Sequence, residues 1–361
     1  MAQRTIIPFG PQHPVLPEPI HLDLVLEDEK VVEAIPSVGF VHRGLERLAE
    51  TKDFHEMAYV AERICGICSF IHGQGYCQAV EEVMKIQVPE RALYLRTIWA
   101  EMSRIHSHLL WLGLAADAFG FESLFMHSWR VREAILDIIE ETAGGRVIFG
   151  SCKVGGVRKN IENETLKSIK TRLEKIEQSS KEITKIFEKD GSVKKRMAGI
   201  GVLSKDDAYA LGAVGPTLRG SGIGQDMRKR GYAVYGNLSW EPIVESDGDC
   251  FARSIVRVRE IYQSFDLIYQ AIEKIPDTEI DVKITGNPAA GTESFMRVEQ
   301  PRGEVVYYVK GSGTKYLQRF RVRTPTFANI PALVVMLKGC QLADVPVIVL
   351  TIDPCISCTE R

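Results

Sequence analysis

The sequence lacks a secretory signal, a long apolar run and an excess of charge of either sign. Its first residues, MAQRTIIPFGPQHP, show no charged region followed by an apolar stretch and a cleavage site. No segment reaches the ~18 consecutive apolar residues of a membrane-spanning helix. Lysine and arginine number 45 against 47 acidic residues, so no overall field would attract nucleic acid or an anionic membrane surface. These absences predict a cytosolic globular chain with no membrane span of its own and no nucleic-acid partner.

Internal repeats, low-complexity tracts and a clear linker are also missing from the 361 residues. A hydrophobic share of 45% is enough to bury a large core. The sequence therefore predicts a single composite domain that spans residues 1–361.

Helical spacing dominates the middle of the chain. Between residues 88 and 144, apolar side chains recur at intervals of three and four, which predicts two long and largely buried helices. Residues 161–190 and 250–275 each place apolar side chains on one face and charged ones on the other. Such helices pack into a bundle, whereas the glycine-rich residues 201–236 are expected to form an irregular connection.

Alternating patterns predict small sheets towards both ends of the chain. Leu22, Leu24 and Leu26, followed by a turn at residues 28–30, indicate a hairpin. The later segments with a strand-like pattern are residues 280–284, 293–300, 304–311, 315–323 and 345–352, the last of them a buried strand or an apolar approach to the final cysteine motif. The predicted fold class is α+β: mainly an α-helical bundle, with small antiparallel sheets near the N-terminal and C-terminal thirds.

Two Cys-x-x-Cys pairs, one in RICGICSF and the other in DPCISC, carry the first functional signal. Cys65 and Cys68 are separated from Cys355 and Cys358 by most of the chain. On a turn or a first helical turn this spacing points both sulfurs the same way, and thiolates select zinc, nickel, copper or iron. A structural zinc is the plain interpretation of two such pairs. Because the chain has enough core to fold without a metal, the long separation favours a site that performs chemistry.

The motifs around these cysteines resemble a known family. RxCGxC near the N-terminus and DPCxxC near the C-terminus are similar to the paired signatures of the large subunit of nickel-iron hydrogenases. GPQHP at residues 10–14, GFVHRGLE at residues 39–46 and AERICGICSFIHG resemble the energy-converting, membrane-associated branch, which is related to the quinone-site subunit of respiratory complex I. The cysteines separate the two groups, because the quinone-binding relatives have lost them.

The resemblance implies a metal centre and a reaction. Cys65 and Cys355 would be terminal nickel ligands, and Cys68 and Cys358 would bridge nickel to an iron that carries carbon monoxide and cyanide. The chain would be the catalytic subunit of a hydrogenase that forms and cleaves H2 reversibly, with electrons from reduced ferredoxin and coupling to ion translocation. The alternative is a non-catalytic complex I-like coupling subunit whose thiols hold a structural zinc or nothing.

Heterolytic H2 chemistry needs an electrophilic metal and a nearby base. The resemblance implies that the proton goes first to Cys355 or to Arg302 of the Pro-Arg-Gly motif at residues 301–303, although this motif could equally be a charged turn between strands. For onward transfer the matching carboxyl is Glu18, unless that residue is simply solvated. Carboxyls elsewhere that could replace it are Glu50, Glu56 and Glu62.

Further residues around the metal follow from the resemblance. His72 would contact a ligand or a bridging sulfur, or else be an ordinary core histidine. Thr326 would donate to an iron-bound cyanide, or cap a helix. Asp353 would pair with Arg302, or mark a turn. Uptake hydrogenases carry an aspartate where this chain has Ser107, which leaves the polar surroundings of the arginine in doubt.

Glu46 matches a family carboxylate that can bind a structural magnesium or iron. Uptake enzymes add a terminal histidine to that metal, but this sequence has no histidine after His127. An ion pair with Arg43 or Arg47 is the alternative. The end at Arg361 also fits a mature form from which a protease has removed an extension, although an encoded end would look the same.

The electrons of H2 need an exit that this chain does not supply. Its remaining cysteines, Cys77, Cys152, Cys250 and Cys340, lack the close spacing of an iron-sulfur motif and are expected to be small buried side chains. The resemblance implies a small subunit with a proximal iron-sulfur cluster, ferredoxin-like subunits and integral membrane subunits that translocate ions. The chain would then be peripheral, on the cytoplasmic side of the cell membrane.

Overall fold

A computed structural model describes residues 4–14, 16 and 18–361 of the chain. These residues form a mainly helical body with three small antiparallel sheets, which confirms the predicted α+β class. The assignment of the whole chain to one composite domain stays a prediction.

Helices and strands are numbered in chain order. The helices are α1 (Leu45–Leu48), α2 (Phe54–Glu62), α3 (Ser69–Met84), α4 (Glu90–Ala118), α5 (Glu122–Ala143), α6 (Asn163–Lys189), α7 (Gly191–Met197), α8 (Lys205–Ala210), α9 (Pro216–Arg219), α10 (Cys250–Lys274), α11 (Pro325–Leu337), α12 (Val345–Thr351) and α13 (Ile356–Glu360). The strands are β1 (Arg4–Phe9), β2 (His21–Glu27), β3 (Lys30–Ser37), β4 (Cys152–Lys153), β5 (Gly156–Val157), β6 (Glu293–Gln300), β7 (Gly303–Gly311) and β8 (Leu317–Arg323).

The N-terminal sheet contains the predicted hairpin. Strands β2 and β3 pair in antiparallel fashion, and Leu22, Leu24 and Leu26 are buried on one face of β2. Asp28 adopts a left-handed conformation in the turn, with φ 57°. Strand β1 adds a third, antiparallel strand to β2. The connection from β1 to β2 carries Glu18, and β3 leads directly into residues 38–44.

Four long helices form the body, as the apolar spacing predicts. Helix α4 is buried almost all round, because it packs against α5 and α10. Helix α6 is amphipathic and buries Leu173, Ile176 and Ile183. The indole of Trp111 on α4 donates to the carbonyl oxygen of Leu350 at 2.7 Å, which ties the body to the segment before the last cysteine pair. No helix in the described ranges combines the length and the apolar character required to cross a bilayer.

The C-terminal sheet has the order β6-β7-β8, and its strands match three of the predicted runs. The turn between β6 and β7 holds Pro301 and Arg302, so the charged-turn interpretation of this motif is correct as far as local structure goes. A β-carbon added to Gly303, whose φ is 130°, would lie 2.7 Å from the nitrogen of Gly215. This close backbone crossing, which a larger residue would prevent, fixes the turn against the start of α9.

The strand predicted at residues 280–284 is wrong, and at residues 345–352 the strand alternative is wrong whereas the apolar approach to the final cysteine motif is observed. Residues 345–352 contain helix α12, because packing against α4, α10 and α11 overrides the strand preference of their valines and isoleucines. Pro346 suits this helix, since proline is tolerated in a first helical turn. Residues 280–284 form only an isolated bridge between Asp281 and Gly156. Residues 201–236 are largely irregular, as predicted, but include the short helices α8 and α9.

A buried network of charged side chains joins α4, α9 and α10. Arg219 lies 2.7 Å from Glu260 and 2.8 Å from Glu299, and Glu260 also contacts Nε2 of His108 at 2.9 Å. All four side chains are almost completely buried. Buried charges are tolerated only where partners compensate the loss of water, so these contacts depend on one another.

Replacing Glu260 with alanine should therefore destabilise the chain strongly. The change leaves the Arg219 guanidinium with one carboxylate fewer in a water-free site, which costs about 3–5 kcal/mol. Urea unfolding measures the loss. The matched control is Glu273→Ala on the same helix, where an exposed ion pair with Lys170 is screened by solvent and contributes little to stability. Equal effects of the two substitutions would contradict the assignment of the network as a stabilising element.

Candidate metal centre

The two cysteine pairs converge although 290 residues separate their members. The sulfurs of Cys65 and Cys355 lie 3.4 Å apart, those of Cys68 and Cys358 3.8 Å apart, and those of Cys355 and Cys358 3.2 Å apart. All four side chains are buried and none forms a disulfide. The fold thus builds a closed cluster of four sulfur atoms from opposite ends of the sequence.

Each pair sits on a turn that enters a helix. The sulfur of Cys65 accepts hydrogen bonds from the backbone nitrogens of Ile67 and Cys68 at 3.2 and 3.3 Å, and Cys68 is the N-cap of α3. Cys355 is the N-cap of α13, and Asp353 before it has φ 54°. Both turns direct their two sulfurs to the same side, as the three-residue spacing predicts.

Charge is shared unequally among the four sulfurs. Hydrogen bonds, first from Cys355 and then from Cys358 and Cys68, hold the pKa of the Cys65 thiol well below its usual value despite burial. Burial raises the pKa values of Cys68 and Cys358. The hydrogen bond with Cys358 lowers the pKa of Cys355, but the bond to Cys65 and burial outweigh it and the net pKa is raised. Among the four sulfurs, Cys65 is therefore the one on which the protein favours negative charge most.

This donor set fits soft transition metals. Two overlapping groups of ligand atoms are close enough to hold an ion: Cys65 with Cys355 and Cys358, and Cys68 with His72 and Cys358. A metal cation displaces thiol protons on binding, so the neutral thiols would become thiolate ligands. Cys358 belongs to both groups, and a shared sulfur is the arrangement that two adjacent metals require.

Arg302 extends from the β6-β7 turn towards Asp353 and the long helix α4. Its Nε donates to the carbonyl oxygen of Asp353 and its Nη2 to the carboxylate, both at 2.8 Å. Its Nη1 lies 3.4 Å from the hydroxyl of Ser107, which occupies the place of the expected aspartate. Burial alone lowers the pKa of the guanidinium, but Asp353 and the nearby cysteine sulfurs raise it well above the usual value. Arg302 thus stays charged beside the sulfurs.

His72 lies on α3 with its ring against the second cysteine pair. Its Nε2 is 3.2 Å from the sulfur of Cys358, and its Nδ1 makes a hydrogen bond with the hydroxyl of Tyr307. Burial lowers the pKa of His72 to about 4, so the ring is neutral near neutral pH. A neutral ring held from both sides can donate to, or orient, a metal-bound sulfur.

Thr326 supports the backbone of the second pair. Its hydroxyl accepts a hydrogen bond from the backbone nitrogen of Cys355 at 3.1 Å. The N-cap of α11 is Thr324, so the alternative interpretation of Thr326 as a helix cap is wrong.

Glu18 reaches the cluster from the β1-β2 connection. Its Oε2 accepts a hydrogen bond from the backbone nitrogen of Ser357 at 2.8 Å, and its Oε1 is 3.6 Å from the sulfur of Cys355. Burial is the main cause that raises the pKa of this carboxyl, and the charge on Cys65 adds to it. Glu18 is therefore a carboxyl that can hold a proton next to the cluster, rather than a solvated side chain.

The other candidate carboxyls do not meet the sulfurs in the described part of the chain. Glu50 pairs with Arg319 at 2.8 Å, and Glu56 is exposed. Glu62 is buried, accepts a hydrogen bond from the backbone nitrogen of Gly150 at 2.8 Å and leaves its Oε1 without a partner. Burial raises the pKa of Glu62 to about 7.

Replacing Glu62 with glutamine should stabilise the chain at pH 8 more than at pH 5. The carboxyl has a pKa of about 7 in the folded chain against an ordinary value of 4.5. Between these values the folded state binds the extra proton, so the stability of the wild type falls as the pH rises. The expected difference between the two pH values is on the order of 2–3 kcal/mol. Urea unfolding at both pH values measures it, and a pH-independent effect of E62Q would contradict the burial of an ionisable group here.

Glu46 makes ion pairs instead of meeting further acidic residues. Its Oε1 accepts a hydrogen bond from Nε of Arg361 at 3.0 Å, and its Oε2 contacts the guanidinium of Arg321. The predicted ion pair is confirmed, but the predicted partners, Arg43 and Arg47, are replaced by Arg321 and Arg361. Because both carboxylate oxygens already face cations, the geometry favours an ion pair at this position over a magnesium or iron ligand.

Several residues at the site were not predicted from the sequence. Tyr307 lies on β7 and meets His72 from the neighbouring sheet. The Arg43 guanidinium and the Glu360 carboxylate make hydrogen bonds with backbone groups of remote segments. Such contacts have no characteristic spacing, so the only available signal is that Arg43 lies within GFVHRGLE.

The chain matches two protein-family descriptions. Residues 118–289 and 280–361 match the respiratory-chain NADH dehydrogenase 49 kDa subunit. Residues 43–115, which include the first cysteine pair, match nickel-dependent hydrogenase.

Individual relatives come from both groups. The carbon monoxide-induced hydrogenase of Rhodospirillum rubrum is 39% identical, over 98% of this chain and 99% of the relative. The membrane-bound hydrogenase subunit alpha of Pyrococcus furiosus is 36% identical, over 98% of this chain and 87% of the relative. An NADH-quinone oxidoreductase subunit of Chloroherpeton thalassium is 33% identical, over 98% of this chain and 87% of the relative.

Proposed function

Because the chain belongs to the family that unites nickel-dependent hydrogenases with the 49 kDa subunit of respiratory complex I, we propose that it is the catalytic subunit of an energy-converting nickel-iron hydrogenase. The proposed reaction is the reversible heterolytic formation and cleavage of H2, with proton reduction by electrons from reduced ferredoxin as the working direction. Hydrogenases that match almost the full length of the chain support an oxidoreductase acting on H2.

One observation carries the proposal: four buried, unoxidised sulfurs from distant motifs meet beside a charged arginine. A subunit that only couples other subunits has no use for such a cluster. A structural zinc would also not explain why a proton-holding carboxyl lies 3.6 Å from Cys355.

The residues around the cluster have distinct proposed roles. When bound, a nickel-iron centre with carbon monoxide and cyanide on its iron supplies the redox-active electrophile that H2 chemistry needs. Cys65 and Cys355 would bind nickel alone, and Cys68 and Cys358 would be shared with iron. The overlap of the two donor groups at Cys358 supports the shared position of that sulfur. Thr326, which already supports the backbone of this pair, would donate to cyanide.

Protons would move through the chain's own groups. The Cys355 sulfur is the proposed first proton acceptor, and Oε1 of Glu18 at 3.6 Å is the next. The pKa of Glu18, raised mainly by burial, suits a relay, because a carboxyl whose proton affinity is increased accepts a proton from a neighbouring group more readily than a solvated carboxyl does. Arg302, held by Asp353, would stabilise negative charge that develops on the sulfurs.

The proposed assembly includes other subunits. Cys77, Cys152 and Cys250 are buried apart from the cluster and Cys340 is half-buried, which supports an electron exit through an iron-sulfur cluster of a small partner subunit. Ferredoxin-like subunits and integral membrane subunits that translocate ions would complete the complex. The name of the Pyrococcus furiosus relative, a membrane-bound hydrogenase, supports an association with a membrane, and we propose a peripheral position on the cytoplasmic side.

Metal analysis of the purified complex tests the proposal. Nickel is expected in an amount equal to that of the chain, with iron in excess over nickel because the iron-sulfur clusters of the partner subunits add iron. Zinc alone, or four empty thiols, would contradict the enzyme and would favour the coupling subunit.

A further inference from the structure

Residues 39–46, which we call the clasp, hold the segment that carries the second cysteine pair. The carboxylate of Glu360 accepts hydrogen bonds from the backbone nitrogens of Gly39, at 2.6 Å, and Val41. Nδ1 of His42 contacts the carbonyl oxygen of Glu360, and Glu46 at the end of the clasp pairs with Arg361. The clasp thus adds a set of polar contacts at the end of the second pair's segment, whereas Thr326 and Glu18 hold the backbone of Cys355 and Ser357.

Arg43, at the centre of the clasp, makes hydrogen bonds with the backbone next to both cysteine pairs. Its Nη1 donates to the carbonyl oxygen of Arg63 at 2.8 Å, and its Nη2 donates to that of Ile64 at 2.9 Å, directly before Cys65. The same Nη2 donates to the carbonyl oxygen of Ser357 at 2.8 Å, between the two cysteines of the second pair. One guanidinium thus connects the backbones on which the two halves of the sulfur cluster are built.

We propose that Arg43 is a positioning residue that fixes the distance between the two cysteine pairs and thereby controls how firmly the site retains its metals. The inference rests on the proposed nickel-iron centre. The clasp contacts Ser357, Glu360 and Arg361, so it restrains this segment beyond its connection to Asp353. When its contacts open, Cys355 and Cys358 can move away from Cys65 and Cys68, and a metal held by all four loses half of its ligands.

The chemistry of the side chain explains why arginine suits this position. A guanidinium offers several donors in a rigid planar fork, which can reach three carbonyl oxygens at once. A lysine keeps the charge but presents a single nitrogen on a flexible stem, so it cannot join both backbones with the same geometry. Arg47, four residues further on, contacts Glu50 at the surface and makes no hydrogen bond to either cysteine pair in the described residues.

Loss of nickel to a chelator tests the proposal. The purified complex is incubated with EDTA, and bound nickel is followed over time in the wild type and in Arg43→Ala, Arg43→Lys and Arg47→Ala. Arg43→Ala should lose nickel about tenfold faster, Arg43→Lys should lie between it and the wild type, and Arg47→Ala should match the wild type. Hydrogen exchange of a peptide covering residues 355–361 should accelerate in the same order.

The outcomes separate this inference from the proposed function. A wild-type complex without nickel would overturn the metal centre itself. A nickel-containing wild type whose Arg43→Ala and Arg43→Lys variants lose nickel and exchange hydrogen at the wild-type rate would overturn the role of Arg43 alone. If Arg43→Ala does not fold, the Arg43→Lys variant provides the test. Amide hydrogen exchange is then compared between the metal-depleted full chains of Arg43→Lys and the wild type. An unchanged exchange rate in residues 355–361 would again reject the role of the clasp.

Discussion

Replacing Cys355 with serine should abolish the enzymatic exchange of H2 with solvent deuterium by the purified complex. The substitution exchanges a soft thiolate for a hard hydroxyl, which nickel binds poorly and which stays protonated at neutral pH. It also removes the sulfur that lies within 3.4 Å of Cys65 and 3.2 Å of Cys358, at the centre of the cluster. Loss of a coordinating sulfur should reduce nickel content and exchange rate by more than about 100-fold.

A second cysteine provides the matched control for this experiment. Cys340 is half-buried and does not belong to either group of candidate metal ligands, so Cys340→Ser should keep both nickel and exchange activity. Exchange at the wild-type rate in C355S would remove Cys355 from the reaction. Equal losses in both variants would point to a general effect of losing a thiol.

Replacing Glu18 with glutamine should suppress H2 evolution while nickel and iron contents stay normal. Glutamine keeps an oxygen that can accept the hydrogen bond from Ser357, but it cannot carry a proton from Cys355. Removal of a positioned proton-transfer group typically lowers the rate by about 10²–10⁴-fold. The measurement is H2 evolution from a reduced electron donor, with metal analysis of the same preparation.

The pH dependence separates a relay from a structural role for Glu18. Burial raises the pKa of this carboxyl, so the rate of H2 evolution by the wild type should fall as the pH rises through that pKa and Glu18 loses its proton. The residual activity of E18Q should not show this fall with pH. The control is Glu56→Gln, an exposed carboxyl among the same candidates, which should behave as the wild type. Normal turnover in E18Q would require another proton path.

Periodicity was sufficient to predict most of the fold. The helices from 90 to 143, α6 and α10 follow directly from the spacing of apolar side chains. Helix α12 was missed because a short run of valine and isoleucine is compatible with either a strand or a buried helix, and only packing decides between them. Residues 280–284 show the reverse: a good local pattern that pairs with strand β5 only through the single bridge between Asp281 and Gly156.

At the site, the sequence identified groups that belong to spaced motifs and missed those defined by tertiary contact. The cysteine pairs were predictable because three-residue spacing orients both sulfurs. The partners of Glu46 were not, since Arg321 comes from β8 and Arg361 from beyond α13. The polar surroundings of Arg302 were in doubt without an aspartate on α4, but the hydroxyl of Ser107 lies there within 3.4 Å.

An infrared spectrum of the purified complex tests the central claim most directly. Carbon monoxide and cyanide bound to iron absorb in a region free of protein bands, and neither ligand accompanies a zinc site. The account predicts these bands in the wild type. A wild-type spectrum without them, from a preparation in which zinc is bound by the four cysteines, would contradict the nickel-iron centre.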